Sequence, residues 1–382
     1  MEIIAKDRLN AEDVRDLTVR LLREQLSLAV NGYKITTSMV LNVLLKAAVE
    51  KRSIEAVCAD LVDVVDSNTL REGLNQALRV EDLREHEVEF NAALAECIPA
   101  EMPRRGLEMV IDLHDEPFYG KSVDLQAYTC RGEAHDGTTY FWRIASLYVI
   151  WRQVRITLAL TYVLPGESVL SIVQRLLTRR EILGFRFKVL FLDKGFCNGE
   201  VIDYLQKAHL PAILACPIRG KAGKGGTRAL CQGRKHFRTR YTFTDGTTAD
   251  LAVVPILTRD KKTRKRRRGW LIYVLVHLDW SAKKVQQRYR RRFGIESSYR
   301  QLGQVRAHTN SRNVALRFFY LALALLLLNV WTYLRCLCTR IIDRGPFRLD
   351  LNRLRLARFI AFLRRAIEQA FGTTMSIPIY SW

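Results

Sequence analysis

Three acids stand where a carboxylate could take part in chemistry: Asp112, Asp193 and Glu296. Asp112 and Asp193 each come at the end of a short apolar run, which predicts a position at the end of a strand. Glu296 is the only acid between Ser281 and Arg306, a span that holds eight Lys and Arg. An acid weakens a phosphate-binding surface, so Glu296 makes sense if it holds a divalent cation beside a phosphate that the arginines also bind.

The segment around Glu296 is predicted to be a helix. At 3.6 residues per turn, Tyr289, Arg292, Glu296 and Arg300 fall on one face, which would offer a carboxylate and guanidinium groups to the same ligand. The alternative is a surface helix in which Arg292, Glu296 and Arg300 form ion pairs at i,i+4 spacing.

The two aspartates are predicted to face one crevice. In an open α/β sheet, ligands bind outside the strand ends, so neighbouring strands would bring Asp112 and Asp193 together. With Glu296 they would form a hard oxygen site for Mg²⁺ or Mn²⁺, and two such ions about 3.5–4 Å apart support in-line displacement at phosphorus. A strand-end Asp is also often a helix cap or a loop-forming residue. Two nearby acids could compete for the first position: Asp115 and Glu116.

The charge of the chain is large and uneven. The 382 residues have a formal net charge of +22, yet residues 1–100 hold 12 Lys and Arg against 18 Asp and Glu. A basic excess in the remainder predicts a polyanionic partner, foremost nucleic acid, with a membrane surface as the alternative. With 48% apolar and 26% charged residues, the composition is that of a globular protein.

A basic run lies between the last two predicted strands of residues 220–280. It is predicted to be a hairpin tip or loop that contacts the phosphate backbone of DNA, with a solvated charge run as the alternative. Its basic residues are Lys261, Lys262, Arg264, Lys265, Arg266, Arg267 and Arg268.

Cysteine usage and apolar segments indicate a cytoplasmic protein with no membrane span. The eight cysteines have no metal-ligand spacing, and we interpret them as reduced, mostly buried thiols. The N-terminus lacks the apolar segment of a signal peptide. The apolar stretch 318–331 is shorter than the ~20 residues that a spanning helix needs, so we predict a buried core helix.

Five parts of the chain are distinguished by their patterns. Residues 1–104 show helical periodicity, with Ser53 and Ser67 as candidate N-caps, and could form a helix-turn-helix DNA reader or a plain packing or dimerisation domain. Residues 105–219 predict the order β-β-β-α-β-α-β, an α/β architecture with a mixed sheet. The remaining parts are a β-strand-rich insertion at 220–280, the Glu296 helix with the apolar helix at 281–335, and a basic helical segment at 336–382.

The motifs resemble those of the DDE transposases of prokaryotic insertion sequences, in the branch with a β-strand-rich insertion and the signature Y-x2-R-x3-E-x6-K. Tyr289, Arg292 and Glu296 match the first three positions of that signature. Asp193-Lys-Gly-Phe196 matches the D-x-G-F/Y segment that follows the second aspartate. The segment from Ile111 to Gly120 resembles the first-aspartate segment of an archaeal halophile subgroup.

One position departs from this pattern. Gly303 stands where the signature has Lys, and Arg300 or Arg306 would take over its phosphate contact. The resemblance covers about residues 105–330.

The resemblance implies a ribonuclease H-like core in which Asp112, Asp193 and Glu296 bind the metal. It implies a homodimer that binds the inverted ends of its element and the target, both double-stranded DNA, in the nucleoid of a prokaryotic cytoplasm. The implied reactions are phosphodiester hydrolysis that releases 3′-hydroxyls, and their transfer into target DNA. Alternatives are a nuclease on the same core without strand transfer, and a catalytically inactive DNA-binding relative.

Overall fold

The computed structural model describes residues 8–30, 32–221, 225–259, 266–292, 301–341 and 348–376. Glu296 and Arg300 lie outside these residues, as do Lys261, Lys262, Arg264 and Lys265 of the basic run, and the side chain of Arg292 is also not described.

A mixed sheet forms the centre of the molecule. The order β4-β3-β1-β5-β6 places β1, β5 and β6 parallel to one another, with β3 antiparallel to both β1 and β4. This arrangement confirms the predicted ribonuclease H-like α/β class. The strands are β1 (Leu107–Pro117), β3 (Thr138–Trp151), β4 (Val154–Val163), β5 (Phe187–Leu192) and β6 (Ala212–Cys216), with a short β2 (Cys130–His135) beside β3.

The insertion widens this sheet. Strands β7 (Phe237–Thr242), β8 (Thr248–Arg259) and β9 (Arg266–Val276) are antiparallel neighbours, and β9 pairs with β6. The loop predicted at 261–268 is too long at its C-terminal end. Arg266, Arg267 and Arg268 belong to β9, where Arg266 pairs with Arg259 of β8. Continued pairing satisfies backbone groups that a loop would leave to water.

Each face of the sheet is covered by helices. Met109 and Ile111 point to the side of α7 (Val169–Ile182) and α8 (Gly199–Lys207), with which they share a core. Val110 points to the opposite side, where α9 (Ala282–Arg292) packs through Val285 and Tyr289. Because successive side chains alternate along a strand, Glu108, Asp112 and His114 lie on the α9 side of β1.

The longest helix is α10 (Val314–Cys338), with 25 residues. It extends beyond the apolar stretch 318–331 at both ends, and Asn313 caps its N-terminus by accepting a hydrogen bond from the Leu316 backbone N–H. Its length and hydropathy would suit a membrane span, but 94% of its apolar segment is buried inside the protein. The prediction of a core helix is therefore confirmed.

The N-terminal helices share one hydrophobic core with α10 and the C-terminal helix α11 (Leu356–Phe371). Ser53 caps its helix as predicted, but Ser67 does not, because Asp66 accepts the capping bonds from Asn68 and Thr69. The helix bounds are α1 (Ala11–Gln25), α2 (Thr37–Glu50), α3 (Ile54–Cys58), α4 (Ser67–Ala77) and α5 (Leu83–Glu96); a short α6 (Val123–Gln126) follows β1, and a small two-stranded ribbon of β10 (Arg340–Ile341) and β11 (Arg348–Leu349) lies between α10 and α11.

Candidate active site where the pairing of β1 and β5 ends

Asp112 and Asp193 stand side by side where the parallel pairing of β1 and β5 ends. The prediction that Asp112 ends its strand is wrong, because β1 continues to Pro117 in antiparallel pairing with β3. Ile111 of β1 and Leu192 of β5 are the last register pair of the parallel ladder, and each aspartate is the next residue. Neighbouring strands lie about 4.8 Å apart, so the two backbones are close. Val110 and Phe191 share the core on the α9 side, and alternation directs both aspartates to that same side. The structure thus brings together two acids that are 81 residues apart in sequence.

Asp112 lies in a pocket that is nearly closed to solvent. It is 8% exposed, and its Oδ1 accepts a hydrogen bond from the Leu113 backbone N–H at 3.1 Å. Ser146 of β3 is its register partner. The Nη2 of Arg155 donates to Ser146 Oγ at 3.2 Å, and the guanidinium lies over the ring of Tyr148 at 3.8 Å. A cation therefore stands beside the first aspartate, as a site for phosphate requires.

Asp193 begins a tight turn at Lys194–Phe196 that leads into α8. Among the described residues its carboxylate makes no capping hydrogen bond to that turn, so the interpretation as a helix cap has no support in this geometry. The carbonyl of Leu192, one residue earlier, accepts a hydrogen bond from the Tyr289 hydroxyl at 3.0 Å. This bond fastens α9 to the end of β5.

Residues 169–330 match the family described as the transposase DDE domain. The match indicates an enzyme of nucleotidyl transfer on DNA, of a family that uses divalent metal ions. Asp193 and Glu296 lie inside the matched residues, whereas Asp112 precedes them and joins the site through the register of β1 and β5.

A solved transposase has a similar fold. The cryo-EM structure of the piggyBac transposase synaptic complex with hairpin DNA matches with a TM-score of 0.53 and 11% sequence identity. The match covers 97% of this chain and 78% of that chain, and at this identity it shows the fold alone. Comparison with the curated proteins finds no significant match.

Tyr289 of the transposase domain does not occupy the position expected of a DNA contact. It is 2% exposed and packs against the rings of Phe191 and Tyr273. With its hydroxyl bonded to the Leu192 carbonyl, the side chain faces the sheet and not a phosphate. The prediction of a direct phosphate contact is corrected on this geometry to a positioning role at the end of β5.

The two acids that could compete with Asp112 are held by arginines. Arg143 forms two hydrogen bonds to Asp115, at 2.6 and 2.8 Å. Arg317 pairs with Glu116 at 3.3 Å. Alternation also places Asp115 on the face of β1 opposite to Asp112. The geometry therefore favours Asp112 as the first aspartate.

His114 lies one pleat beyond Asp112 on the same side of β1. Burial, and after it the nearby Arg306 guanidinium, lowers the pKa of His114 to about 4. Arg306 Nη1 lies 3.4 Å from His114 Nε2 and the side chain also approaches Glu116 at 3.8 Å. Arg306, one of the two candidates to replace the signature lysine, is thus held against β1 near the aspartates.

Another acidic group lies far from the sheet, and it already contains a cation. Glu50, Asp60 and Glu368 bring ligand atoms within 4.8 Å of one another. The ammonium of Lys46, which is fully buried, contacts these carboxylates at 2.8, 3.0 and 2.8 Å. Burial lowers the Lys46 pKa, but the hydrogen bonds that its ammonium donates to the three acids outweigh it, so the pKa lies above the usual 10.5. We assign this cluster to the stability of the fold.

Sequence reasoning missed Arg155, which stands beside the register partner of Asp112. It is a single cation inside the apolar strand VRITLALTYV, and a charge at such a position was the available signal. Four of the eight cysteines are buried and four are half-buried, so the prediction that most of them are buried holds for half.

Proposed function

We propose that the chain is the transposase of an insertion sequence that cuts DNA at the ends of its element and joins the released 3′-hydroxyls to target DNA. The observation that carries the proposal is the adjacency of Asp112 and Asp193 on one face of the sheet. The match of residues 169–330 to the transposase DDE domain supports it independently of that geometry.

The donors fit a hard divalent cation. Two carboxylates at the position where the β1–β5 pairing ends supply the oxygen ligands that Mg²⁺ and Mn²⁺ prefer. When bound there, the ion would lower the pKa of the attacking water or 3′-hydroxyl and offset charge at phosphorus. Asp112 and Asp193 would hold it, and the closed surroundings of Asp112 would restrict water.

Glu296 is proposed as the third ligand. It follows Tyr289 by seven residues, two turns of a continued helix, and the Tyr289 face of α9 packs on the sheet beside Asp193. A helix continued beyond Arg292 would direct Glu296 to the aspartate side. Arg292 and Arg300, at the spacing of the same face, are proposed to hold non-reacting phosphates.

Double-stranded DNA is proposed to run along the basic side of the insertion. Arg266, Arg267 and Arg268 are exposed at the start of β9, and the basic residues 261–265 precede them. Contacts of this kind hold the phosphate backbone and set the register of the protein on the duplex without reading sequence. We propose a homodimer on the paired ends of the element, located in the nucleoid of a prokaryotic cell.

The test is cleavage of a labelled DNA duplex carrying an element end, with Mg²⁺ present. Asp112→Asn, Asp193→Asn and Glu296→Gln should each reduce cleavage by on the order of 10³-fold or more, because each removes a ligand charge. Binding to the same duplex, measured by fluorescence anisotropy, should persist. Asp136→Asn is the matched control, because this exposed turn residue has a φ of 49°, which Asn adopts readily.

Two outcomes would revise the proposal. Wild-type cleavage in any one of the three variants would remove that acid from the active site. A second assay supplies pre-cut ends with free 3′-hydroxyls, and cleavage without joining of such ends would identify a nuclease on the same core.

A further inference from the structure

A cavity of about 990 Å³ lies on the α9 side of the sheet. Its walls are the first residues of β1 and β5, the turn between β3 and β4, and one side each of α9 and α10. Ligand pockets in proteins typically have volumes of about 300–1,000 Å³, so the cavity can hold a molecule of considerable size.

The lining of this cavity is strongly basic. Six cations line it and only one carboxylate among the described lining residues, Glu108, which forms an ion pair with Arg288 at 2.9 Å. An excess of this size concentrates anions in a partly enclosed, low-dielectric space. The cations are Arg152, Arg155, Lys188, Arg288, Arg290 and Arg335.

Arg335 of α10 gives the cavity an unused hydrogen-bond donor. The residue is 5% exposed, and its guanidinium lies over the ring of Trp331 at 4.6 Å. Its Nε is buried, and no acceptor among the described residues lies within hydrogen-bond distance. Burial lowers the pKa of Arg335. A buried cation with an unmatched donor lowers the stability of the fold. An anionic ligand in the cavity would offset this loss.

The cavity reaches toward the aspartate pair. Arg155 lines it, and the Arg155 hydrogen bond to Ser146 ends beside the register partner of Asp112. Glu108, at the far end of the cavity, precedes Asp112 by four residues, which is about 13 Å along a strand. That length corresponds to roughly two nucleotides of an extended strand at about 6 Å each, within the site sizes known for single-strand grooves.

We propose that this cavity binds the phosphates of a single DNA strand that continues from the nucleotide held at Asp112 and Asp193. The ligand named here rests on the proposed transposase function, whereas the binding of a phosphate-bearing strand can be measured without any cleavage. Trp151 and Trp331 also line the cavity, and a basic groove with aromatic walls is typical of single-strand binding.

The experiment measures binding of a fluorescently labelled, single-stranded oligonucleotide of about ten residues by anisotropy, without divalent metal. Arg335→Gln should weaken binding about tenfold, because it removes a charged hydrogen-bond donor. The double variant Lys188→Gln with Arg290→Gln should weaken it to a similar extent, and both of these side chains are exposed, so their loss does not disturb a core. The plot of log K against log salt has a negative slope, and the magnitude of this slope should decrease by about 0.7 for each phosphate contact removed.

Arg23→Gln, an exposed arginine of α1 outside the cavity, is the matched control and should leave both affinity and slope unchanged. Asp112→Asn should retain strand binding while cleavage is lost, which separates this proposal from the proposed function. Wild-type affinity in both the Arg335 variant and the double variant would overturn the proposal. Displacement of the strand by inorganic tripolyphosphate at equal phosphate concentration would also overturn it, because the ligand would then be a free polyanion.

Discussion

The molecule contains two groups of acids that are brought together from distant parts of the sequence, and they differ in what surrounds them. Glu50, Asp60 and Glu368 enclose the ammonium of Lys46 between the N-terminal helices and α11. Asp112 and Asp193 stand instead where the parallel pairing of β1 and β5 ends, beside the Arg155 cation and a basic cavity. Both groups bring carboxylates close, and in the first group the ammonium of Lys46 lies between the three of them.

The difference teaches that proximity of acids does not by itself define a metal site. Three carboxylates around one ammonium are an ion-paired cluster in which a metal would have to displace Lys46. Carboxylates where the pairing of two parallel strands ends lie beside the crevice in which an open α/β sheet binds ligands. The surroundings of the acids, more than their spacing, decide between a stabilising and a catalytic role.

The largest effect should come from removing the lysine of the first group. Lys46→Met leaves three mutually repelling carboxylates and should lower the free energy of unfolding by about 3 kcal/mol, discounted for the partial exposure of the acids. Chemical denaturation at pH 7 measures it. Because the Lys46 pKa lies above 10.5, the stabilisation is complete below pH 10.5 and is lost only as pH rises through the raised value.

The same variant sharpens the comparison. With the ammonium gone, Ca²⁺ should bind the three acids and restore part of the lost stability, because Ca²⁺ accepts flexible oxygen ligands. The exposed Lys34→Met is the control and should neither lose stability nor respond to Ca²⁺. A Lys46→Met protein as stable as the wild type would show that the cluster contributes nothing.

Metal binding to the unaltered protein should distinguish the two groups directly. At Mn²⁺ concentrations about 100-fold above Kd, binding stabilises the folded state by about 2.7 kcal/mol, which a thermal melt detects as a higher Tm. Asp112→Asn should abolish this increase, whereas Glu368→Gln should keep it. The reverse result would assign the metal to the Lys46 cluster.

Glu167, just before the start of α7, is a single acid that forms ion pairs with two arginines. It pairs with Arg84 at 2.6 Å and with Arg175 at 3.0 Å, and it accepts a hydrogen bond from the Leu164 backbone N–H. Burial raises its pKa, but these partners outweigh it and hold the pKa below 4.5.

Glu167→Gln should therefore cost about 1–2 kcal/mol at pH 7. The lowered pKa means that the wild-type contribution is present above pH 4.5 and disappears as pH falls through the folded-state value. The difference between the two proteins should accordingly be smaller at pH 3 than at pH 7 in denaturation curves. The exposed Glu181→Gln serves as control, and an equal loss at both pH values would exclude a role for ionisation.

The smallest effect is expected at Tyr289, which joins the helix of the active site to β5. Tyr289→Phe removes the hydrogen bond to the Leu192 carbonyl and should lower stability by about 1 kcal/mol, with a modest decrease in cleavage. Affinity for element-end DNA should not change. If the Tyr289→Phe variant bound DNA more weakly at unchanged stability, the result would instead support the phosphate contact that the sequence predicts for Tyr289.

Much of the fold was predictable because its signals are local. The order of strands and helices between residues 105 and 219 follows from apolar periodicity, and the structure differs mainly by adding the short α6 and β2. Charge alone predicts a loop at Arg266–Arg268, because it does not reveal that the β8–β9 pairing continues through them. The start of α10 before the apolar stretch depends on a capping side chain, that of Asn313.

The site was predictable only in its residue types. Nothing local distinguishes Asp112 from Asp115, which is three residues away; the Arg143 ion pair and the β1–β5 register do so. The partners of Tyr289 and Arg155 come from 97 and 9 residues away, and no helical or strand periodicity encodes them.

By itself, the sequence determined that Asp193 follows the end of a strand, where the basic charge accumulates and which family the chain resembles, because these depend on short motifs and composition. Only the tertiary structure decided that Asp112 and Asp193 are neighbours, that Lys46 closes the other acidic group and that six cations line one cavity. Those relations depend on strand register and on packing between distant segments, which contacts made across the folded chain determine.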